Sequence, residues 1–456
     1  MTPPGPASPT LTPDSTQPEA ARAPRARPSL ALLHYSGPPV VGGVEAVMQT
    51  QARLFASAGY PTALFVGRGS GAALDCGAAM GGAVPVKIIP EMNSELPAAL
   101  KLEDGAEGEA VLPQFFSWRD QLEETLGAAL RQTDVVIAHN LLTTHFNLPL
   151  TAALHRLADR GLIRHVIVWC HDISRHVNPA SGARQRTGYP WDLLRRYRPD
   201  FTYVAVSARR QRALAAIFGC PPDWIHVVPN GVDPVVLLGL SPAGARLAEQ
   251  FGMLAADLVM LMPVRVTQAK NIEFAMQVTA ALKAAGLRPR LVITGPPDPH
   301  SPGRVDYFGA LRQLRQSLAL DNEVVFVAEF TTGPDWPQGL PSSMVAELLR
   351  LADLVMMPSH REGFGIPVLE AGLMGRPVFA TAIPAVEEVG QELVQVIGPD
   401  EPPRQVASRI RALAEHDAPL RLRRLTRQSY AWSAIFSRDI QPLVAAVSER
   451  AEGGAA

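Results

Sequence analysis

Two glutamates eight positions apart, Glu362 and Glu370, lie in the part of the chain whose residue types point most directly to chemistry. Glu362 belongs to a short glycine-containing loop, and Glu370 falls in the helical pattern that follows it. Gly363 and Gly365 free the backbone just before that helix, whose N-terminal N–H groups and positive dipole end suit a diphosphate. Because carboxylates repel phosphate, we expect both glutamates to accept hydrogen bonds from hydroxyl groups. The loop therefore predicts a site for a diphosphate flanked by two sets of sugar hydroxyls, which is what a nucleotide sugar presents.

Two cations, Arg265 and Lys270, follow another short apolar run, residues 258–262. Cations fixed in a loop can neutralise a diphosphate and hold it as it becomes a leaving group. Taken alone, this pair is also compatible with a basic surface loop. Beside the two glutamates, it favours the binding site.

The first half of the chain contributes glycines and histidines at the same kind of position. Gly42 and Gly43 stand between the first predicted strand and a helix starting near Val44, where they permit close approach of a phosphate or a sugar, although a plain turn would also explain them. His171 directly follows the apolar run 165–170. An imidazole there can hydrogen-bond a sugar hydroxyl or share charge in a transition state, and His139, also at a strand end, is the alternative candidate.

The elements that must position these residues alternate between short apolar runs and longer helical patterns from Ser29 onward. This order is typical of parallel sheets covered by helices on both faces, and two such units in succession predict an α/β protein with two Rossmann-like, doubly wound domains. Ligands of such sheets gather at the carboxyl ends of the strands. The predicted strands are 30–34, 62–66, 84–89, 134–138, 165–169 and 203–206 in the first half, and 258–262, 290–294, 324–327, 354–357 and 378–380 in the second.

Composition narrows the possible functions of the 456-residue chain. A formal net charge of −1 gives no indication of nucleic-acid binding, and no apolar run approaches the roughly 18 residues of a spanning helix. The three cysteines Cys76, Cys170 and Cys220 form neither a disulfide framework nor a zinc pattern, which predicts a cytoplasmic protein. A peripheral membrane contact is compatible with these totals.

The glutamate pair resembles the Glu-x7-Glu motif of the retaining glycosyltransferases of family four, which have the GT-B fold. The resemblance implies that Glu362 contacts the transferred sugar and that Glu370 contacts the nucleotide ribose. It also places Gly363, Phe364 and Gly365 in the donor-binding loop.

Other positions resemble the same family. Arg265 and Lys270 match its Arg-x4-Lys pair, although the family more often has glycine where Asn271 stands. His171 stands at the place of a functional histidine, and Gly295 stands where the family has a glycine beside the nucleotide. Gly42 and Gly43 resemble its first-domain glycine loop.

The resemblance implies a hexosyltransferase that moves a sugar from a UDP-, GDP- or ADP-sugar to an acceptor the sequence does not identify. It implies a front-face mechanism with retention, and neither a metal ion nor another cofactor. Glu362, His171, Arg265 and Lys270 are then the catalytic candidates. Two alternatives stay open, a nucleotide-sugar epimerase of GT-B fold and a non-catalytic protein that binds nucleotide sugars or glycans.

The predicted domain organisation has four parts. Residues 1–28 form a disordered Pro/Ala-rich tail, and residues 29–230 form the N-terminal, acceptor-side domain, in which 67–113 are a variable insertion. Residues 231–425 form the donor domain. In the family, a C-terminal helix crosses back onto the first domain, and residues 426–456 are expected to supply that helix and the tail.

Overall fold

The computed structural model describes residues 27–75, 82–95, 112–297, 307–331 and 340–453. The predicted tail, up to residue 26, lies outside the described residues. So do residues 76–81 and 96–111 of the predicted insertion, together with Cys76.

The first half of the described chain forms a seven-stranded sheet and a separate antiparallel pair of short strands. The seven strands follow the order β5-β2-β1-β6-β7-β8-β9, and β3 pairs with β4. The pairings of β1 with β2 and β6, and of β6 with β7, are parallel. The strands are β1 (Leu30–Ser36), β2 (Thr62–Arg68), β3 (Leu74–Asp75), β4 (Ala83–Val84), β5 (Val86–Ile88), β6 (Val135–His139), β7 (His165–Cys170), β8 (Phe201–Ala205) and β9 (Ile225–Val227).

The second half forms a six-stranded parallel sheet in the order β12-β11-β10-β13-β14-β15. Its strands are β10 (Leu258–Met262), β11 (Pro289–Ile293), β12 (Val324–Phe326), β13 (Leu354–Met357), β14 (Val378–Thr381) and β15 (Gln395–Ile397).

Helices connect the strands of both sheets, as parallel pairing requires. In the first half they are α1 (Gly43–Ser57), α2 (Leu112–Ala129), α3 (Leu148–Asp159) and α4 (Ala208–Phe218). In the second half they are α5 (Pro234–Leu237), α6 (Pro242–Gln250), α7 (Ile272–Ala284), α8 (Tyr307–Ser317), α9 (Ser342–Leu351), α10 (Ile366–Leu373), α11 (Pro384–Gly390), α12 (Pro403–His416), α13 (Ala418–Ser429), α14 (Trp432–Ile435) and α15 (Gln441–Gly453).

Strand β10 shows why the central strands carry uninterrupted apolar runs. Val259 and Leu261 belong to the hydrophobic core on one face of the sheet, whereas Leu258, Met260 and Met262 belong to the core on the other face. Since side chains alternate along a strand, a sheet covered on both faces needs apolar residues at every position. The central strands therefore lie where the sequence predicts them, and β10 and β13 match to the residue.

The chain divides into two compact units. The first contains the described residues up to Val204, those from Ala213–Trp224 and those from Ala446 onward; the second contains Ala205–Arg212 and Ile225–Ala445. Each unit carries one of the large sheets. The predicted α/β architecture with two Rossmann-like parallel sheets is confirmed.

Candidate active site

A pocket of about 290 Å³ opens in the second unit, where the loops that follow β10 and β11 meet α9 and α10. Arg265 reaches it from the loop after β10, Gly295 from the loop after β11, and Glu370 from α10. Other residues that line the pocket are Thr294, Ser342 and Leu349. Three residues that the sequence predicts for nucleotide-sugar binding, separated by up to 105 positions in the chain, thus surround one cavity.

Glu362 and Lys270 form an ion pair in the same unit. The Lys270 ammonium donates to both Glu362 carboxylate oxygens at 2.7 Å, and the buried Ser359 hydroxyl donates to Oε1 at 2.6 Å. The two side chains are only 20% and 8% exposed. Each of these predicted catalytic groups therefore neutralises the other.

The two loops that carry this pair are also joined through the backbone. The N–H of His360 donates to the carbonyl oxygen of Ala269 at 2.9 Å. This bond links the loop after β13 to the loop after β10 within one residue of Lys270 and two of Glu362.

Two residues adopt a left-handed backbone conformation beside these loops. Gly365 has φ 90° and directly precedes α10, so it turns the chain into the helix as the sequence predicts. Asn271 has φ 49° and directly precedes α7. Asparagine tolerates this conformation better than most residues other than glycine, which explains how it replaces the glycine the family usually has there.

Gly295 is required for steric reasons. A Cβ at this position would lie 2.3 Å from the carbonyl oxygen of Val264 and 2.7 Å from Cα of Arg265. The Gly295 N–H donates to that Val264 oxygen at 3.1 Å. The glycine thus allows the loop after β11 to pack directly against the segment that carries Arg265.

The predicted loop residues Gly363 and Phe364 lie between the ion pair and α10. A Cβ on Gly363 would meet open space, and the Phe364 ring is exposed. Neither residue lines the pocket, so their predicted contact with the donor stays a prediction.

In the first unit, Gly42 and Gly43 form the start of α1. Gly42 is its extended N-cap residue and Gly43 its first residue, and a Cβ on Gly43 would meet nothing within 4 Å. The open space beside Gly43 fits the predicted approach of a ligand.

Three histidines meet at the carboxyl ends of β1, β6 and β7. His139 Nδ1 lies 3.0 Å from His171 Nε2, and the two rings are stacked. His34 Nδ1 donates to the carbonyl oxygen of His139 at 2.9 Å, because a carbonyl can only accept. The two histidines that the sequence presents as alternatives are therefore in contact.

Asn140 and Glu45 complete this cluster, and sequence reasoning missed both. The Asn140 carboxamide oxygen accepts from the backbone N–H groups of His171 at 2.8 Å and Asp172 at 3.0 Å, and its own φ of 62° is left-handed. Glu45 accepts from the Ser36 hydroxyl and lies 3.8 Å from His34 Nε2. The available signals were an asparagine directly after a strand and a glutamate two positions after Gly43.

The histidine cluster is neutral at physiological pH. Burial, together with the nearby His34, lowers the pKa of His171 to about 3. Burial also lowers the pKa of His139 well below its usual value, and it lowers that of His34 although Glu45 acts in the opposite direction. A neutral imidazole can donate one hydrogen bond and accept another, but it carries no charge to share.

Within the described ranges, no three or more His, Cys, Asp or Glu side chains are grouped so that they could hold a metal ion. None of the helices there is both long enough and apolar enough to cross a membrane.

Both halves of the chain match known sequence families. Residues 41–236 match Glycosyltransferase Family 4, and residues 257–416 match Glycosyl transferases group 1. The two matches together cover most of the chain, which therefore belongs to the group 1 and family 4 glycosyltransferases, and the predicted family is confirmed.

Its relatives include several proteins named D-inositol 3-phosphate glycosyltransferase. The one from Kineococcus radiotolerans is 29% identical over 267 residues, which are 54% of this chain and 58% of that protein. The one from Catenulispora acidiphila is 30% identical over 258 residues, 55% of this chain and 58% of that protein. The one from Thermomonospora curvata is 32% identical over 186 residues, 40% of this chain and 41% of that protein. The chain thus spans about half the length of these curated relatives.

Solved structures show a more distant likeness. Anabaena HepE in complex with UDP and glucose is 18% identical, with 94% of this chain and 100% of that chain covered and a TM-score of 0.32. WaaG, a glycosyltransferase involved in lipopolysaccharide biosynthesis, is 15% identical, with 93% and 100% covered and a TM-score of 0.32. At these TM-scores no property is transferred to this chain.

Proposed function

We propose that this protein transfers a sugar from a nucleoside-diphosphate sugar to an acceptor. The observation that carries the proposal is the convergence of Arg265, Gly295 and Glu370 on one pocket of about 290 Å³ in the second unit. Pockets of roughly 300 Å³ and more, mainly apolar with a few convergent polar groups, are typical small-molecule sites. A cation and a carboxylate on the same cavity suit a ligand that has both phosphates and hydroxyls.

The diphosphate is the part of the donor that Arg265 and Lys270 would bind. The Arg265 side chain is exposed, and no other described side chain forms an ion pair with it. The N-terminus of α10, opened by Gly365, adds N–H groups and a positive dipole end. Together these groups would stabilise the negative charge that develops as the diphosphate leaves.

The Lys270–Glu362 ion pair would exchange partners when the donor binds. An arriving diphosphate competes with Glu362 for the Lys270 ammonium, because both are anionic acceptors of charge-assisted hydrogen bonds. The released Glu362 carboxylate can then accept hydrogen bonds from the hydroxyls of the transferred sugar, and Glu370 can accept from the ribose. In this scheme a complete donor satisfies every charged group of the site.

The reaction would proceed with retention by front-face attack and without a metal ion. In this mechanism the departing diphosphate helps to remove the acceptor proton, so no protein side chain needs to form a covalent bond with the sugar. The neutral His171 suits a hydrogen-bonding role toward the substrates rather than a charged one. Positive charge at the leaving group would come from Arg265, Lys270 and the start of α10.

The relatives point to a first acceptor to test. Their name identifies D-inositol 3-phosphate as the compound to which they transfer a sugar. We propose to assay this compound as acceptor with UDP-, GDP- and ADP-sugars in parallel. Transfer with inversion, or release of an epimerised donor without any acceptor, would contradict the proposal. The second outcome would instead support the epimerase.

Binding is tested first, by following thermal stability of the full chain with UDP, GDP and ADP. A ligand that binds only the folded state at 100 times its Kd adds about 2.7 kcal/mol of stability. We expect one nucleotide to do so and Glu370→Ala to abolish its effect, whereas Glu249→Ala, an exposed glutamate on α6, leaves it unchanged. No stabilisation by any of the three would refute the donor site. Binding without transfer or hydrolysis would favour the non-catalytic alternative.

A further inference from the structure

The proton between His139 Nδ1 and His171 Nε2 can belong to either ring. The two possibilities place the other proton of each ring differently. If His139 Nδ1 donates to His171 Nε2, neutral His139 keeps a lone pair on Nε2 and His171 carries its own proton on Nδ1. If His171 Nε2 donates instead, the proton of His139 must be on Nε2, and His171 Nδ1 has only a lone pair. The environment of His139 Nε2 therefore decides the tautomers of both rings.

His139 Nε2 is buried and lies beside an aromatic ring. The side chain is fully buried, and Nε2 has no hydrogen-bond partner among the described residues. The neighbouring ring is Trp169, its register partner on β7, with the ring centres 5.7 Å apart. The Trp169 indole N–H is itself buried without a partner and can only donate, so it offers no acceptor to a proton on His139 Nε2. Buried N–H groups without an acceptor are rarer in proteins than acceptors left without a donor.

We infer that His139 is a positioning residue that donates from Nδ1 to His171 Nε2 and thereby fixes His171 as the Nδ1–H tautomer. The backbone supports this arrangement on both sides. Asn140 holds the His171 N–H, and His34 holds the carbonyl of His139. With its Nε2 occupied, His171 has one free polar atom, an N–H donor. The lowered pKa of His171 means that this donor stays neutral.

The inference rests on the proposed function in one respect, the identity of the group that receives this N–H. In a glycosyltransferase site the matching acceptor is an oxygen of the donor sugar or of the acceptor substrate. His171 would then donate a hydrogen bond to a substrate hydroxyl and orient it. It would not act as a general base.

The tautomer is measured on the full chain labelled with ¹⁵N-histidine, by two-bond ¹H–¹⁵N correlation without any ligand. The chain has 11 histidines, and the His171 signals are assigned by their loss in His171→Gln. We expect the Nδ1 of His171 to carry the proton and the Nε2 to be bare between pH 6 and 8. A proton on Nε2 would overturn the inference.

Two matched variants test the role of His139. The side-chain amide nitrogen of asparagine can occupy nearly the same position as the Nδ1 atom of histidine. His139→Asn therefore keeps a hydrogen-bond donor toward His171, and we expect the same His171 tautomer. A carboxylate can only accept, so His139→Asp should move the His171 proton to Nε2 or add a second proton. An unchanged Nδ1–H tautomer in a folded His139→Asp protein would contradict the inference. If this variant does not fold, the wild-type and His139→Asn spectra still decide.

Hydrolysis of UDP-glucose, GDP-mannose and ADP-glucose separates this inference from the proposed function. We expect His139→Asp to slow sugar release about tenfold or more, with the affinity for the free nucleoside diphosphate unchanged and a new dependence on pH. His139→Asn should stay within about threefold of the wild type. Failure of every nucleotide to bind would refute the donor site, whereas the NMR result on the tautomer would stand on its own.

Discussion

Glu362→Gln should strengthen the binding of a free nucleoside diphosphate while it abolishes sugar transfer. The Lys270 ammonium makes two contacts of 2.7 Å to Glu362. A diphosphate must displace this carboxylate before it can use the full charge of Lys270. Glutamine keeps the shape and an acceptor oxygen but removes the negative charge, so the ammonium becomes available.

The size of the effect follows from the burial of the pair. Exposed ion pairs contribute about 0–1 kcal/mol, and breaking a fully buried pair costs about 3–5 kcal/mol. With side-chain exposures of 20% and 8%, this pair lies between the two cases. We therefore expect a gain of about 1–2 kcal/mol, or roughly 5- to 30-fold in Kd.

Isothermal titration calorimetry with the nucleoside diphosphate that binds the wild type measures this change. Lys270→Met should weaken binding, since it removes a cation that the diphosphate uses. A second lysine–glutamate pair in the same unit, Lys283 and Glu323 with a contact of 3.0 Å, supplies the control, and Glu323→Gln should leave Kd unchanged. Weaker nucleotide binding in Glu362→Gln would refute the partner exchange.

Three further predictions concern stability and geometry. Because the folded pKa of His171, about 3, lies below its unfolded value near 6.5, this group's contribution to stability is present above pH 6.5 and is lost as pH falls toward 3. Acid titration of the unfolding free energy should therefore show a flatter dependence in His171→Gln than in the wild type, by up to about 1.4 kcal/mol per pH unit. Gly295→Ala should cost about 1–3 kcal/mol and weaken nucleotide binding, because its Cβ would meet the Val264 carbonyl oxygen at 2.3 Å, as denaturant unfolding and calorimetry will show. Arg427→Met should cost about 1.5–3 kcal/mol in denaturant unfolding, because Asp353 loses the bidentate partner that now lies 2.9 and 3.0 Å away and keeps Arg423 at 3.3 Å.

Each of these three changes has its own control. Equal acid sensitivity of His171→Gln and the wild type would contradict the neutral, buried state of His171. Gly372→Ala on α10, where a Cβ would meet nothing within 4 Å, should be neutral or slightly stabilising, and an equal loss in both glycine variants would show that sterics at Gly295 are not the cause. Arg421→Met, at an exposed position of α13, should change stability by less than about 0.5 kcal/mol.

The central strands of both sheets could be predicted from the sequence because burial on two faces demands uninterrupted apolar runs. The edge strands β9 and β15 escaped this reasoning. Each has three residues, of which two are exposed, so neither carries an apolar run long enough to recognise. Their pairing depends on the neighbouring strand rather than on their own composition.

The candidate site could likewise be predicted from the sequence only in part. Residue types and spacing predict one site for Arg265 and Glu370, and the resemblance to the family adds Gly295; all three residues line one pocket. Residue types and spacing gave no indication that Lys270 pairs with Glu362, or that His139 and His171 are partners instead of alternatives. Both contacts join residues at least 32 positions apart, and their geometry depends on strand register and loop conformation that no local pattern encodes.

The hydrogen bond from His360 to Ala269 couples the loop that carries Lys270 to the loop that carries Glu362. Neither loop can move away from the other without breaking this hydrogen bond. A displacement of the loop after β10 therefore also displaces the loop after β13. Hydrogen exchange at the single amide of His360 therefore reports on the opening of both loops. A diphosphate that binds Lys270 and restrains its loop should slow hydrogen exchange at the His360 amide, although the diphosphate does not contact that amide.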